Sequence, residues 1–200
     1  MPTRSGSRSA SDVTRSKIRN AAEQLFALEG FDRVTLRQIA RDADQRNVAA
    51  VQYHFGSKQG LLSAIVDDHR SQIDGRRAQL LQEFGGPDPD LETLIGFLVE
   101  PLAAKLDDTS GRAYLQIQAQ GLSNDKMRPA TRSLVQRIGR HLRPLGDGQA
   151  DPYRGRFAVL LLFHALADRA EAEQAGRVRR SDRPAFVASL SRSIEGLFAA

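Results

Sequence analysis

Residues 35–58 read TLRQIARDADQRNVAAVQYHFGSK, and this stretch decides the fold. It contains two short helical patterns, at about 36–43 and 47–53, separated by the polar turn Asp44-Gln45-Arg46. The second pattern ends in an aromatic cluster, after which Ser57 can cap another helix. Two short helices around a tight turn are typical of a helix-turn-helix, whose second helix enters the major groove of DNA. The stretch therefore predicts double-stranded DNA as a ligand.

Apolar residues recur at helical spacing on both sides of this stretch. A first helix is predicted over about 12–29, and a long helix runs from Ser57 to about 83. The break Gly85–Pro89 separates them from five further helical patterns, at about 90–105, 111–122, 128–143, 152–175 and 183–199. No segment alternates as a strand does. We therefore predict an all-α fold of about nine helices: a three-helix helix-turn-helix domain joined by a long helix to a C-terminal helical bundle.

These patterns divide the chain into three predicted parts. Residues 1–11 are rich in Ser, Arg and Gly and form a disordered arm. This arm either frays freely or touches DNA, and fraying is favoured because little in it can order without a partner. Residues 12–56 form the DNA-binding domain. Residues 57–200 form a domain for dimerisation and for binding a small-molecule effector.

The positive charge is concentrated in the first part of the chain. Residues 1–60 hold ten lysines and arginines against six aspartates and glutamates, whereas residues 61–200 hold nineteen against eighteen. Most of the net charge of +5 thus lies beside the helix-turn-helix pattern. A surface that faces DNA phosphates needs this localisation.

Several classes of protein are disfavoured by the composition. The chain has no cysteine, which excludes disulfides, thiolate nucleophiles and cysteine-ligated zinc. Its longest apolar run, Phe157–Phe163, is far shorter than the roughly 20 residues that span a bilayer. The four histidines are widely separated, and there is no glycine-rich phosphate loop or nucleophile elbow. We expect no catalytic residues, no metal, no cofactor and no membrane insertion, and we expect a cytoplasmic protein.

The second helix of the motif carries the residues expected to read bases. Gln52 can pair bidentately with adenine, and Ala49 or Ala50 can contact a thymine methyl group. The alternative is that these small residues only pack the domain, as we expect of Val51. Either Arg46 or Asn47 begins this helix, and both are candidate DNA contacts.

Other residues of the motif are expected to hold the DNA backbone. Thr35 can cap the helix at 36–43 or donate to a phosphate, and Arg37 points away from the apolar face. Lys58 lies in the first turn of a helix, where the helix dipole disfavours a cation. A nearby phosphate would explain it, and the alternative is a solvated surface lysine.

The block from Thr14 to Leu62 resembles the tetracycline-repressor (TetR-like) family of bacterial transcription regulators. The matching residues are Arg19, Ala21, Ala22, Leu25, Phe26, Gly30, Phe31, Val34, Thr35, Ile39, Ala40, Ala43, the string Tyr53–Lys58, Leu61 and Leu62. One departure is Asp44, which stands where the family usually has glycine. Aspartate tolerates a left-handed turn better than most residues, so the turn can still form.

This resemblance implies more than the motif alone. It implies that Tyr53 and His54 reach phosphates, the alternative for both being a place in the core. It also implies that the protein is a repressor released from a palindromic operator by a small molecule. The residues alone leave two alternatives: an architectural DNA-binding protein without an effector and, less favoured, an enzyme. A regulator releases its DNA in response to a small molecule, whereas an architectural protein does not.

The last two helical patterns are expected to form a homodimer. Phe157–Ala167 is apolar on all sides except at His164, and the pattern at 183–199 has an apolar stripe that includes Leu190 and Ile194. Such helices suit a two-fold four-helix interface, which matches a palindromic site. The alternative is a single monomeric bundle.

A few polar residues interrupt the apolar helices of the C-terminal part. They can line an effector cavity, although such residues are more often satisfied core or surface groups. The candidate ligand-binding residues are Tyr114, Gln118 and His164.

Overall fold

The computed structural model describes residues 10–86, 88–121, 127–141 and 153–199. Within these ranges the regular secondary structure is helical throughout, so the predicted all-α class is confirmed. The chain divides into two compact units, Met1–Asp67 and Asp68–Ala200, which we call the N-terminal and C-terminal units. The predicted boundary between residues 56 and 57 separates a DNA-binding domain from a domain for effector binding and dimerisation. It divides the chain by function, which the two compact units do not test, so it stays a prediction.

The N-terminal unit contains three helices and the start of a fourth. They are α1 (Ala10–Glu29), α2 (Leu36–Asp42), α3 (Ala49–Phe55) and α4, which begins at Lys58 and ends at Phe84 in the other unit. Of the arm predicted at 1–11, residues 1–9 lie outside the described residues, and Ala10 and Ser11 begin α1. The core is formed by Ile18, Ala22, Phe26, Ile39, Val51, Leu61, Leu62 and Ile65.

The ends of the short helices follow from local hydrogen bonds. Thr35 caps α2 in a capping box, because its hydroxyl accepts from the Gln38 N–H while the Gln38 side chain accepts from the Thr35 N–H. Asp44 has a φ of 55°, which confirms the predicted left-handed turn. Ser57 caps α4 by accepting from the Gly60 N–H at 3.0 Å.

The prediction that α3 begins at residue 46 or 47 is wrong. The helix begins at Ala49, and the Asn47 side chain accepts a hydrogen bond from the Ala49 N–H at 2.9 Å. Asparagine side chains compete for backbone groups in this way, so Asn47 favours the turn over the helix. The turn is therefore longer than predicted.

The C-terminal unit continues from α4 through α5 (Leu91–Ala103), α6 (Thr109–Ala119), α7 (Pro129–Gly139), α8 (Arg154–Gln174) and α9 (Arg183–Ala199). Short 3-10 turns, Ala104–Leu106 and Arg180–Asp182, precede α6 and α9. Helix α6 packs on α8, and α9 packs on both α5 and α8. Asp90 and Asp108 cap α5 and α6 through their side chains. The five predicted helices are all present, with ends shifted by up to about four residues.

Candidate nucleic-acid interface

Helix α3 presents a polar face to solvent. Val51 is fully buried, whereas Ala49, Gln52 and Tyr53 are exposed, with Tyr53 83% accessible. These three residues share one face because they are three or four positions apart on a helix. Ala50 and His54 lie at its margins and are half-buried. The predicted base-reading residues are thus brought together on a surface that nothing in the unit covers.

A depression of about 700 Å³ lies along α2 and the turn that leads into α3. Three guanidinium groups line it, those of Arg37, Arg41 and Arg46. Sequence reasoning singled out Arg37 and Arg46 but missed Arg41, although its spacing of four residues from Arg37 places both on one helix face. Arg41 contacts Asp42 at 3.1 Å in an exposed pair, which contributes little because water screens it.

The same depression is lined by the turn residues Asp44 and Asn47. The Asp44 carboxylate contacts the Lys17 ammonium of α1 at 3.2 Å, so its negative charge already has a partner. The three arginines are exposed, and they outnumber Asp44, the single acidic residue among the groups that line the depression. This arrangement can attract a polyanion.

Thr35 has its donors occupied. Its N–H and hydroxyl both donate to the Gln38 side-chain oxygen, at 2.9 and 3.0 Å. A phosphate contact by Thr35 would have to replace these bonds. Its DNA contact stays a prediction, and its capping role is what the geometry supports directly.

Lys58 has a role that the sequence did not reveal. Its ammonium donates to the carbonyl oxygens of Phe31 and Val34, at 2.8 and 3.0 Å, and lies 4.3 Å from the centre of the Phe31 ring. These acceptors explain a cation in the first turn of α4 without a phosphate. This geometry does not test the predicted phosphate contact. It shows that the same ammonium group also has a structural role within the N-terminal unit.

The junction between α3 and α4 depends on a glycine. A Cβ atom at Gly60 would lie 2.2 Å from the Phe55 carbonyl oxygen, far inside contact distance. Gly56, between the helices, has a φ of 72°. Beside the junction, the Arg15 guanidinium lies 5.1 Å from the centre of the Phe55 ring. These contacts hold the end of α3, with Tyr53 and His54, in place.

The three predicted effector residues are not brought together. Tyr114 and Gln118 are buried in α6, whereas His164 is exposed on α8. Tyr114 stacks on His69 of α4 with ring centres 4.6 Å apart, and burial raises its pKa to about 12. Among the described residues, the buried Gln118 Nε2 atom has no hydrogen-bond acceptor. All three assignments stay predictions.

Sequence reasoning missed the α4 residues around Tyr114. His69 and Arg77 are 5% exposed, and Asp74 accepts hydrogen bonds from the backbone of Ala130 and Thr131 in α7. Charged residues in a long helix ordinarily indicate its solvated face, so the sequence offered no signal for this buried polar group.

Among the described residues, no group of three or more His, Asp and Glu side chains could hold a metal ion. None of the helices that the structure describes is long and apolar enough to cross a membrane.

Sequence comparison shows that the region of this interface is similar to known bacterial regulators. Residues 18–65 match the family model described as "Bacterial regulatory proteins, tetR family". The HTH-type transcriptional repressor NicS of Pseudomonas putida is 30% identical over 87 residues, which cover 44% of this chain and 41% of the repressor. The chain thus aligns with less than half the length of that relative.

Solved structures extend the likeness to most of the chain. NalD, the secondary repressor of the MexAB-OprM multidrug efflux pump in Pseudomonas aeruginosa, matches with a TM-score of 0.55 and 22% identity, over 91% of this chain and 95% of NalD. A γ-butyrolactone receptor (ArpA-like protein) matches with a TM-score of 0.53 and 20% identity, over 94% and 98%. At these identities the likeness shows the fold alone. The predicted resemblance to the tetracycline-repressor family is confirmed.

Proposed function

Because its helix-turn-helix region matches the DNA-binding domain of the bacterial tetR regulatory family, we propose that this protein is a ligand-responsive regulator of transcription. It is a repressor that a small molecule releases from a palindromic operator. The observation that carries the proposal is the exposed face of α3, with Ala49, Gln52 and Tyr53, together with the depression lined by three arginines. It acts in the cytoplasm, where its DNA partner lies, and it has no catalytic role.

Base reading follows from the chemistry of this face. With α3 in the major groove, the Gln52 amide donates to and accepts from one adenine edge, while Ala49 or Ala50 contacts a thymine methyl group. Tyr53 and His54 hold the backbone, together with Arg37, Arg46 and Arg41. Because phosphate contacts do not depend on the base sequence, these residues set the position of the protein along the DNA. Gln52 sets the preference for one base.

Two copies are needed to read a palindrome, and α8 offers a surface for pairing. Near its start Phe157 and Leu160, three positions apart on one face, are 51% and 44% exposed, and Val159 on another face is 52% exposed. Leu190 and Ile194 of α9 are buried within the chain itself, at 5% and 0% exposure. A homodimer through α8 and α9 therefore pairs on the exposed apolar residues of α8. The apolar stripe of α9 is not available for pairing, because it lies in the core of its own chain.

Release requires an effector that distinguishes two conformations. The effector must bind more tightly to the form whose two α3 helices no longer match successive major grooves, and its effect cannot exceed that difference in affinity. Helix α4 is suited to carry the change, because one continuous helix begins at the motif and carries His69 and Arg77, which are buried in the C-terminal unit.

The proposal is tested by selecting bound sites from random duplex DNA with the full chain. We expect a palindromic site whose half-sites are centred about 34–36 Å apart or a multiple of this. Binding measured by fluorescence anisotropy should then weaken in the presence of at least one compound from a panel of small metabolites. Equal binding to random DNA, with no compound that releases it, would contradict the proposal and favour an architectural protein.

A further inference from the structure

Arg15 of α1 lies against the end of the helix that is expected to read bases. Its side chain is exposed, and the guanidinium carbon lies 5.1 Å from the centre of the Phe55 ring. The ring attracts the cation without accepting strong hydrogen bonds, so the N–H donors of the guanidinium remain available to an anion. Within the described part of the chain no carboxylate is paired with Arg15, and residues 1–9 of the same unit contain no aspartate or glutamate.

The position of Phe55 on α3 places Arg15 at the margin of the exposed face. Phe55 follows the buried Val51 by four positions and the exposed Gln52 by three, and it is half-buried itself. Residues three and four positions apart are neighbours on a helix surface, so the Phe55 ring lies between the core and Gln52. The Arg15 guanidinium over this ring is therefore on the Gln52 side of α3, whereas His54 lies at the opposite margin.

Arginines therefore lie at both ends of α3. The depression that Arg37, Arg41 and Arg46 line runs along α2 and the turn before α3, whereas Arg15 contacts Phe55, the last residue of the helix. The seven residues of α3 span about 10 Å, and the major groove is about 12 Å wide between the phosphates of its two strands. With α3 in the groove, groups at its two ends can approach phosphates of different strands.

We propose that Arg15 binds a backbone phosphate of the operator, so that cations hold α3 in the groove from both ends. This inference rests on the proposed function, since it adds a residue to the same DNA complex. Arginine suits the role because its planar group can bind phosphate oxygens through two parallel N–H donors. Such a contact fixes the position of Gln52 against the bases without itself distinguishing sequences. In a purely structural role, by contrast, Arg15 would only hold Phe55, and its charge would not matter to DNA.

The test separates charge from packing at position 15 in the full chain. Arg15→Met keeps a flexible side chain that can pack on the Phe55 ring but removes the charge, and Arg15→Lys keeps the charge. Binding to the operator that the parent protein selects is measured by fluorescence anisotropy at several salt concentrations. Arg15→Met should lower the salt slope by about 0.9 and the affinity about fivefold for each half-site, at about 0.15 M salt. Arg15→Lys should keep the parent slope.

Arg132 offers a matched control. It is an exposed arginine of α7 that donates to the Met127 carbonyl oxygen, so Arg132→Met removes the same charge from the C-terminal unit. This variant should keep the parent salt slope. Thermal unfolding shows that each variant is folded, and the base preferences should be the same in all of them because a phosphate contact is independent of sequence.

A second measurement identifies the phosphate itself. Operator phosphates are replaced one at a time by uncharged methylphosphonates, and each duplex is tested with the parent protein and with Arg15→Met. We expect one phosphate in each half-site whose neutralisation weakens binding of the parent but not of Arg15→Met, because the two changes remove the same interaction.

Several outcomes overturn the inference: an unchanged salt slope in folded Arg15→Met, an equal loss of slope in Arg15→Lys or in Arg132→Met, a changed base preference in Arg15→Met, or no phosphate whose neutralisation depends on Arg15. A parent protein that selects no operator contradicts the proposed function, and this inference with it. An operator that binds Arg15→Met as tightly as the parent, with the same slope, contradicts this inference alone.

Discussion

The ammonium nitrogen of Lys58, at the start of α4, lies 2.8 Å from the carbonyl oxygen of Phe31, in the connection between α1 and α2. A second bond to the Val34 carbonyl oxygen and the nearby Phe31 ring complete its surroundings. A residue whose sequence position indicates a phosphate contact thus joins two parts of the N-terminal unit. The two roles can be separated, because one acts on stability and the other on DNA affinity.

Lys58→Met should lower the stability of the protein by roughly 1–3 kcal/mol, because two carbonyl groups lose a charged donor. The salt dependence of operator binding should not change. Lys17→Met is the control, since the exposed Lys17–Asp44 pair contributes at most about 1 kcal/mol. Urea unfolding and anisotropy at several salt concentrations measure both effects. Unchanged stability with a salt slope reduced by about 0.9 would instead establish the phosphate contact.

Two glycines of α4 should respond oppositely to alanine. Gly60→Ala should destabilise the protein by roughly 1–3 kcal/mol, because the new Cβ atom meets the Phe55 carbonyl oxygen. Gly75→Ala should stabilise it by about 0.5–1 kcal/mol, because nothing lies within 4 Å of a Cβ there and alanine favours a helix. Thermal unfolding of the two variants checks the sign. A stabilising Gly60→Ala would refute the close approach of α3 and α4.

A charge on the outer face of α8 should separate the two subunits. Phe157→Glu should convert a dimer into a monomer and weaken operator binding with it, because a carboxylate would be buried against the partner. Val135→Glu, at an exposed apolar position of α7, should change neither. Sedimentation at micromolar concentration measures the first effect. A monomeric parent protein would rule out this interface. Leu190→Glu is unsuitable, since Leu190 lies in the core of its own chain.

Acid should weaken the C-terminal unit through Glu173. Hydrogen bonds from Arg183, at 2.7 and 2.9 Å for its Nε atom, and from Arg169 lower the pKa of this buried carboxyl group from 4.5 to about 2, against the opposing effect of burial. Because the pKa is lowered on folding, the stabilisation is full above pH 4.5 and is lost as the pH falls from there towards 2. Its upper bound is about 3 kcal/mol.

The measurement is urea unfolding of the parent protein and of Glu173→Gln at pH 7, 4 and 3. The difference in the free energy of unfolding should shrink as the pH falls. Glu171→Gln is the control, because Glu171 and its partner Arg177 are largely exposed. A difference that stays constant from pH 7 to pH 3 would show that Glu173 does not titrate as its contacts require.

Local patterns predicted the architecture well. Helical periodicity identified each α-helix of the residues that the structure describes, and Thr35 and Ser57 cap α2 and α4 as expected. The predicted start of α3 was too early because asparagine is favoured both at helix N-termini and in turns. Only the hydrogen bond from the Ala49 N–H to the Asn47 side chain shows that Asn47 belongs to the turn. The exposure of Gln52 and Tyr53 was predictable because Val51, which directly precedes them, had to face the core.

Contacts between distant segments were beyond the sequence pattern. Nothing near Lys58 indicates that carbonyl groups 24 and 27 residues away will meet its ammonium. Arg77 has the composition of a solvated helix face, and only its contacts with Leu98 of α5 and Thr131 of α7 show that it is buried. His164 is exposed, since a polar residue in an apolar run can face outward as easily as inward, and its role in ligand binding stays a prediction.

The central claim is that Gln52 on the exposed face of α3 reads a base in duplex DNA. It is tested most directly by selecting sites from random DNA in parallel with the parent protein and with Gln52→Ala, followed by affinities for all four bases at each position. We predict that Gln52→Ala loses about 1–3 kcal/mol of discrimination at one position of each half-site and none elsewhere. Tyr53→Ala should weaken all sequences alike. A Gln52→Ala protein that selects the same site with undiminished preference at every position would contradict the account.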